Sequence, residues 1–379
     1  MMKRRKLITT AACCAGIALA LSACSSSSGT ASQSSGTGQA GAPASSAAAA
    51  SAPYLVQPTT LPVTEKLSKR PPTGIKVAFL NHGNGYDQDY LAGMQAAGKL
   101  LGWNIQNFTV SPANPAATTS AVKSGIGAGD KYFVVFSTPA ALYASLLPEL
   151  KAKGDMILDV DSANPAVPGV VQTVQSASTI SYTGELGGQA LLADAAAQGK
   201  TAHIAEVTVP VYAAVLGPIH DGLAATVKSC SACSLSQIPI PAQNFLSQNV
   251  APVIVSYLQA HPDINYLFFD AATLDTGVAA QIARAGLPAR RMFGVGAFQP
   301  EFAAIKAGQQ EGWVVAPSIV DGWIMTDTLA RLSVGDDPNV WNKAKPLYYV
   351  LNRQNSQDLS APPQFPASYQ AMFQSMWGI

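Results

Sequence analysis

From Lys76 onward, short apolar runs alternate with longer stretches of helical periodicity. Val77–Leu80 is an apolar run too short for a helix and bounded by turn residues, so it reads as a buried strand. Asn81–Gly85 (NHGNG) follows as a loop, since Gly and Asn tolerate the positive φ of tight turns. From Asp87, Leu91, Met94, Ala97 and Leu101 recur at helical spacing, and Gly102 closes that helix. The same rhythm then predicts strands at Trp103–Val110, Tyr132–Phe136, Met156–Val160 and Val170–Val174. Helices are expected at Ala116–Ile126 and from Thr138 to about Gly154.

The alternation then begins again. Helices are expected over Ser181–Gln198, within Tyr212–Lys228, and over Gln248–Ala260, Thr276–Ala285 and Pro300–Ala307. Between them lie strands at Ala202–Val207, Leu235–Ile240, Tyr266–Asp270, Met292–Val295 and Gly312–Ala316. A long helix from Asp321 to Leu332 and a strand-like return at Leu347–Leu351 complete the pattern. Strands alternating with helices of ten to fifteen residues mean α/β architecture with doubly wound parallel sheets. Two successive units imply two lobes with a cleft between them. Ligands of such sheets bind at the carboxyl edge of the strands, where Asn84 and Tyr86 stand on the first strand-to-helix loop.

The N-terminal part follows other rules. Lys3–Lys6 is a basic head and Leu7–Leu21 an apolar core, the pattern of an export signal over residues 1–24. It ends in Leu21-Ser22-Ala23-Cys24, which resembles the bacterial lipobox. That resemblance implies lipidation of Cys24, and two acyl chains anchor stably where one holds only marginally. Ordinary secretion with cleavage after a small residue is the alternative, and Arg4-Arg5 leaves Sec and twin-arginine export both open. Ser25–Thr73 is rich in Ser, Ala, Gly, Thr and Pro, which predicts a disordered tether reaching on the order of 40 Å. Cys13 and Cys14 leave with the signal, so Cys230 and Cys233 remain. In an oxidising compartment they are expected to form a local disulfide. A redox C-x-x-C usually opens a helix, whereas this pair ends one.

Composition narrows the function. The 379 residues suffice for two domains, and a net charge of +1 with 12% charged residues leaves no footprint for nucleic acid. Mean hydropathy is +0.17, yet nothing after residue 24 approaches the roughly 20 continuous apolar residues of a membrane span. There is no G-x-S-x-G, H-E-x-x-H or Walker-type loop, and Gly125–Gly129 lacks the dinucleotide-binding spacing. His82, His203, His220 and His261 are scattered without metal-ligand spacing. Neither enzyme activity nor a cofactor or metal is expected.

Asn84-Gly85-Tyr86 with Gly93, the Pro139-Ala140 helix start, the strand ending Val160-Asp161, and Leu258–Phe269 (LQAHPDINYLFF) occur in a telling order. Thr276-Gly277, Phe293–Val295 and Ala303–Gly308 continue it. Together they make residues 75–351 resemble the type I periplasmic binding proteins, most closely the ribose-type sugar-binding branch. The resemblance implies two doubly wound parallel-sheet lobes joined by three hinge crossings, near Val174–Ser178, Ala316–Ser318 and Pro346–Tyr348. The lobes would be 74–176 plus 318–347 and 177–317 plus 348–379. It implies a ligand-binding set of Asn84, Tyr86, Asp161 and Phe245, to which Tyr212, Asp270, Phe298 and Trp323 are added from their places near strand ends and helix starts. Where the family carries arginines stand Ser162 and Gly217, and Val295-Gly296 replaces an aromatic-plus-aspartate pair. The usual polar hinge residue is Pro317. Bidentate Arg and Asp contacts carry polyol recognition, so a less polar ligand than ribose is expected, aromatic or partly methylated. The implied protein is a monomeric, lipid-anchored extracytoplasmic protein that delivers a small molecule to the permease of an ABC importer. The alternative is a lipoprotein that reports its ligand to a membrane sensor.

Overall fold

The computed structural model describes residues 41–83, 85–111 and 114–379. Gly41–Ser51 is a helix (α1), and a single 3-10 turn follows at Ala52–Tyr54. The first sheet holds β1 (Lys76–Asn81), β2 (Asn104–Thr109), β3 (Tyr132–Phe136), β4 (Met156–Ser162) and β5 (Val170–Ser176). They run parallel in the order β2-β1-β3-β4-β5, connected through α2 (Gly85–Leu101), α3 (Pro115–Ala128) and α4 (Leu147–Lys153). Every residue of β3 is buried, as expected of a central parallel strand covered on both faces.

The chain leaves that sheet from β5 into α5 (Ala177–Ala197) and builds the second lobe. Its strands are β6 (His203–Thr208), β7 (Ser234–Pro239), β8 (Tyr266–Phe269), β9 (Arg291–Val295), β10 (Gly312–Val315) and β11 (Tyr349–Asn352), ordered β11-β10-β9-β8-β6-β7. All pair in parallel except β11, which runs antiparallel to β10 at the edge. The intervening helices are α6 (Ala213–Val227), α7 (Ala242–Leu246), α8 (Ala251–Ala260), α9 (Val278–Arg284) and α10 (Gln299–Ala307). After β10 the chain returns to the first lobe in α11 (Ser318–Val334), and α12 (Val340–Lys343) follows. β11 then rejoins the second sheet, succeeded by α13 (Arg353–Ser356) and α14 (Tyr369–Trp377).

Three expectations change. The helix expected from Thr138 to Gly154 is two 3-10 turns, Ala140–Leu142 and Ala144–Leu146, before α4. Pro148 stands in the first turn of α4, and a proline there cannot lie inside a longer helix without breaking its hydrogen-bond ladder. The C-terminal segment 348–379 divides between the lobes, because α14 packs on α11. Trp377 stacks on Trp323 at 5.5 Å with planes 4° apart. The segment expected as a loose tether is helical at Gly41–Ser51 and attached to the body from Ala47 onward, where α1 packs on α5. Tyr54, Leu61 and Val63 are buried, Leu67 N–H donates to the Met376 carbonyl at 2.9 Å, and Trp103 Nε1 donates to the Pro72 carbonyl at 2.8 Å. Average composition hid this, since a few apolar residues spaced among prolines show no periodicity yet still fill matching hollows.

Two junctions fix the first lobe. Where α2 crosses α11, a Cβ on Gly93 would collide with the Ile319 carbonyl oxygen, and one on Gly322 with the Tyr90 carbonyl oxygen. Below that crossing Asp327 is fully buried. It accepts from Arg331 Nε, Trp341 Nε1 and Trp377 Nε1, each at 2.7 Å. Arg331 also donates to the Glu65 carbonyl at 2.8 Å, so one carboxylate ties α11, α12, α14 and the N-terminal segment together. Removing one partner of a buried ion pair strands the other charge and costs about 3–5 kcal/mol. Asp327→Ala is therefore expected to lower stability by that order in denaturant melts. Asp337→Ala, which breaks the exposed pair with Lys343, should leave the denaturant midpoint almost unmoved, because water screens an exposed ion pair. Equal losses would refute the junction's role.

Candidate functional site

In each sheet the strand order reverses once, between β1 and β3 in the first and between β6 and β8 in the second. Crevices for ligands open beyond the carboxyl ends at such switch points. Tyr86 and Tyr90 lie one turn apart at the start of α2, beyond β1, on a helix seated by the Gly93–Gly322 crossing. Tyr86 reaches the second lobe: its ring meets that of Phe298 edge-on at 4.6 Å. Phe298 lies just ahead of α10, its N–H held by Glu301 at 2.8 Å. Gly296, after β9, has φ +78°, and a Cβ there would collide with the Tyr86 hydroxyl. A phenol of one lobe thus fits against a glycine and a phenylalanine of the other. Asn84 lies outside the described residues.

Carboxyl groups gather at the same edge. Asp161, near the end of β4, adopts φ +50° and accepts from Ser137 Oγ at 2.9 Å. Burial raises its pKa from 3.8 to about 7, with Asp87 and Asp159 adding to the rise and Ser137 opposing it. Asp321, in the first turn of α11, is buried, and burial and then Asp161 hold its carboxyl well above the usual range. Asp87 accepts from the His82 N–H at 2.7 Å. Burial likewise lifts the phenols of Tyr86, Tyr90 and Tyr348, and each also feels both Asp161 and Asp321. Tyr90 OH accepts from Gln175 Nε2 at 3.0 Å, and Tyr348 OH donates to the Thr179 carbonyl at 3.0 Å. Ser137, Asp161, Val174 and Gln175 all carry φ of +44° to +56°. Left-handed backbone is costly for such residues, most of all for a β-branched valine, so strain concentrates at the carboxyl edge and at the first crossing.

The other expected residues divide. Tyr212 and Phe245 pack edge-on at 5.4 Å beyond β6 and β7, where Val211 and Leu246 are exposed. Asp270 is buried after β8, and its pKa is pushed up by burial and by Glu206. Glu206 pairs outward with His220 at 2.6 Å. Trp323 does not face the cleft. It is 1% exposed and lies between Trp377 and Phe373, because its position on α11 points to α14 rather than to the strand ends. Ser162 turns inward to Asp159 at 2.7 Å, and a side chain at Gly217 would meet open space, so neither position supplies a cation. Cys230 and Cys233 are joined in a disulfide beyond α6, beside a surface cavity of about 600 Å³ that His220 and Gln237 also line. Cys24 lies outside the described residues. Among the described residues no three His, Cys, Asp or Glu side chains are placed to hold a metal, and no helix is long and apolar enough to cross a membrane.

Sequence reasoning missed Tyr90, Ser137, Asp321 and Tyr348. A usable signal existed for Tyr90, four residues from Tyr86 and so on the same helix face. The other three come from distant segments that only the folded chain brings together.

This architecture and site define a two-lobed binding protein. Residues 75–337 match the family described as periplasmic binding protein domain, and the chain belongs to that family. Solved structures share the fold. GanP, a glucose-galactose binding protein from Geobacillus stearothermophilus, superposes with a TM-score of 0.63 at 19% identity, covering 76% of this chain and 99% of that one. An ABC transporter solute binding protein from Mycobacterium smegmatis with bound glycerol gives 0.63 at 18% identity, over 78% and 99%. Another from Agrobacterium vitis with bound allitol gives 0.62 at 14%, over 76% and 98%. Among curated proteins, none matches the chain.

The raised Asp161 pKa sets a pH dependence. A carboxyl whose folded value, about 7, exceeds its unfolded value of 3.8 holds more protons folded than unfolded between the two. Its contribution to stability therefore falls as pH climbs through that window. Thermal melts should show Asp161→Asn losing less stability than the parent chain between about pH 4 and about pH 7. Parallel pH curves for the two proteins would show that Asp161 is not held protonated.

Proposed function

We propose that this protein is a lipid-anchored, extracytoplasmic solute-binding protein that captures a small sugar-like molecule between its lobes. It delivers that molecule to the permease of an ABC importer, acting as a monomer without cofactor or catalytic step. The observation that carries this reading is the contact of Tyr86 with Phe298 and Gly296 across the lobes, at strand ends where the family's two lobes converge. Asp161, Tyr212, Phe245 and Asp270 would complete the walls, with Asn84 on the first loop. Closure would turn on the crossings at 174–178, 316–318 and 346–348. A ligand bridging both lobes stabilises the closed form by its differential affinity for it. The export signal and Cys24 support attachment to the outer face of the cytoplasmic membrane.

Ligand released by denaturing the purified protein, identified by mass and added back after refolding, should bind once per chain and reduce the radius of gyration in solution scattering. Tyr86→Ala and Phe298→Ala should each weaken it by about tenfold or more, as loss of an aromatic contact worth up to about 1.5 kcal/mol beyond its buried area implies. Unchanged scattering with a bound ligand would rule out closure between lobes.

A further inference from the structure

We propose that the interlobe site takes an organic cation, a sugar-sized molecule carrying an ammonium group held by Asp161 and Asp321 against the rings of Tyr86 and Phe298. This rests on the solute-binding reading and names the chemistry of its ligand. Asp321 is 6% exposed, and its Oδ2 has no hydrogen-bond partner among the described residues. Asp161 has the Ser137 hydroxyl and no basic side chain. Both lie around the same pair of rings: Gly322, next to Asp321, backs onto the Tyr90 carbonyl, and Phe136, next to the Ser137 that bonds Asp161, meets the Tyr90 ring at 5.5 Å, with Tyr86 6.2 Å beyond it. Each ion pair among the described residues lies elsewhere. Lys345, at the third crossing, is turned onto the Tyr54 ring at 4.3 Å.

The charges packed around this volume are of one sign. α2 adds Asp87 and Asp89, β4 adds Asp159, and Glu301 comes from α10. His82 turns its Nδ1 to the Val110 carbonyl at 3.2 Å. An unpaired buried carboxylate is unfavourable enough to take up a proton instead. An ammonium placed there supplies the missing counter-charge, and aromatic faces add cation–π attraction of about 0.5–2 kcal/mol. A neutral polyol would leave the carboxyls protonated and gain neither term. Cation binding must therefore expel protons, so affinity rises with pH while the ligand keeps its charge.

Calorimetry with two matched pairs tests this: N-methylglucamine against sorbitol, and choline against its uncharged carbon isostere. A cationic member is expected to bind at least about tenfold more tightly than its neutral partner, with affinity rising from about pH 6 to about pH 8. Asp321→Asn and Asp161→Asn should each remove most of that preference, in proteins whose melts near pH 5 show them folded. A neutral member that binds as tightly, or a cation affinity flat in pH, overturns the cation inference and leaves solute binding standing. Failure of both cations to bind a protein that still closes on its own released ligand overturns the cation inference alone.

Discussion

The helix crossing at Gly93 and Gly322 governs where the site can be. With no side chain at either residue, α2 and α11 touch backbone to backbone, and no other residue pair permits that approach. The second lobe repeats the device, since a Cβ on Gly184 of α5 would collide with the Ile219 carbonyl oxygen and one on Gly222 of α6 with that of Ser181. Helices seated so closely have little freedom to slide. The first two turns of α2, with Tyr86 and Tyr90, are thereby held over the end of β1, and the first turn of α11 brings Asp321 beside them. Close-packed interiors transmit such constraints because they hold few voids to absorb a shift.

The same crossing places carboxyl groups where helix N-termini converge. A helix N-terminus favours an acid in its first turn, which accounts in part for Asp87 and Asp321. Asp87 is also served by the His82 N–H. That account does not extend to Asp161, on a strand end in left-handed backbone, nor to the unbonded oxygen of Asp321. Elsewhere the protein treats buried charge differently. Asp327 receives three donors, and Asp159 is bonded by Ser162 and Asn164. Satisfaction is uneven inside the lobes too: Asp159 Oδ1 and both oxygens of Asp130 have no hydrogen-bond partner among the described residues, so Asp327 stands apart by its full set of donors.

Local backbone strain gathers where the chain passes between the lobes. Val174 and Gln175 both stand in left-handed backbone where the chain leaves the first lobe, and Gln175 is pinned to Tyr90.

Strand and helix order was legible in the sequence because a buried parallel strand must be an uninterrupted apolar run and a half-buried helix must repeat near every fourth residue. Both rules are local, and so are the helix start that carries Tyr86 and the pairing of Cys230 with Cys233. The tertiary structure alone decided that Trp323 belongs to the core, that residues 47–73 lie along the body, and that Tyr86 of one lobe meets Phe298 of the other. Those outcomes depend on which face of a helix meets which neighbour and on segments far apart in the chain. A local pattern of apolar and polar residues carries no record of either.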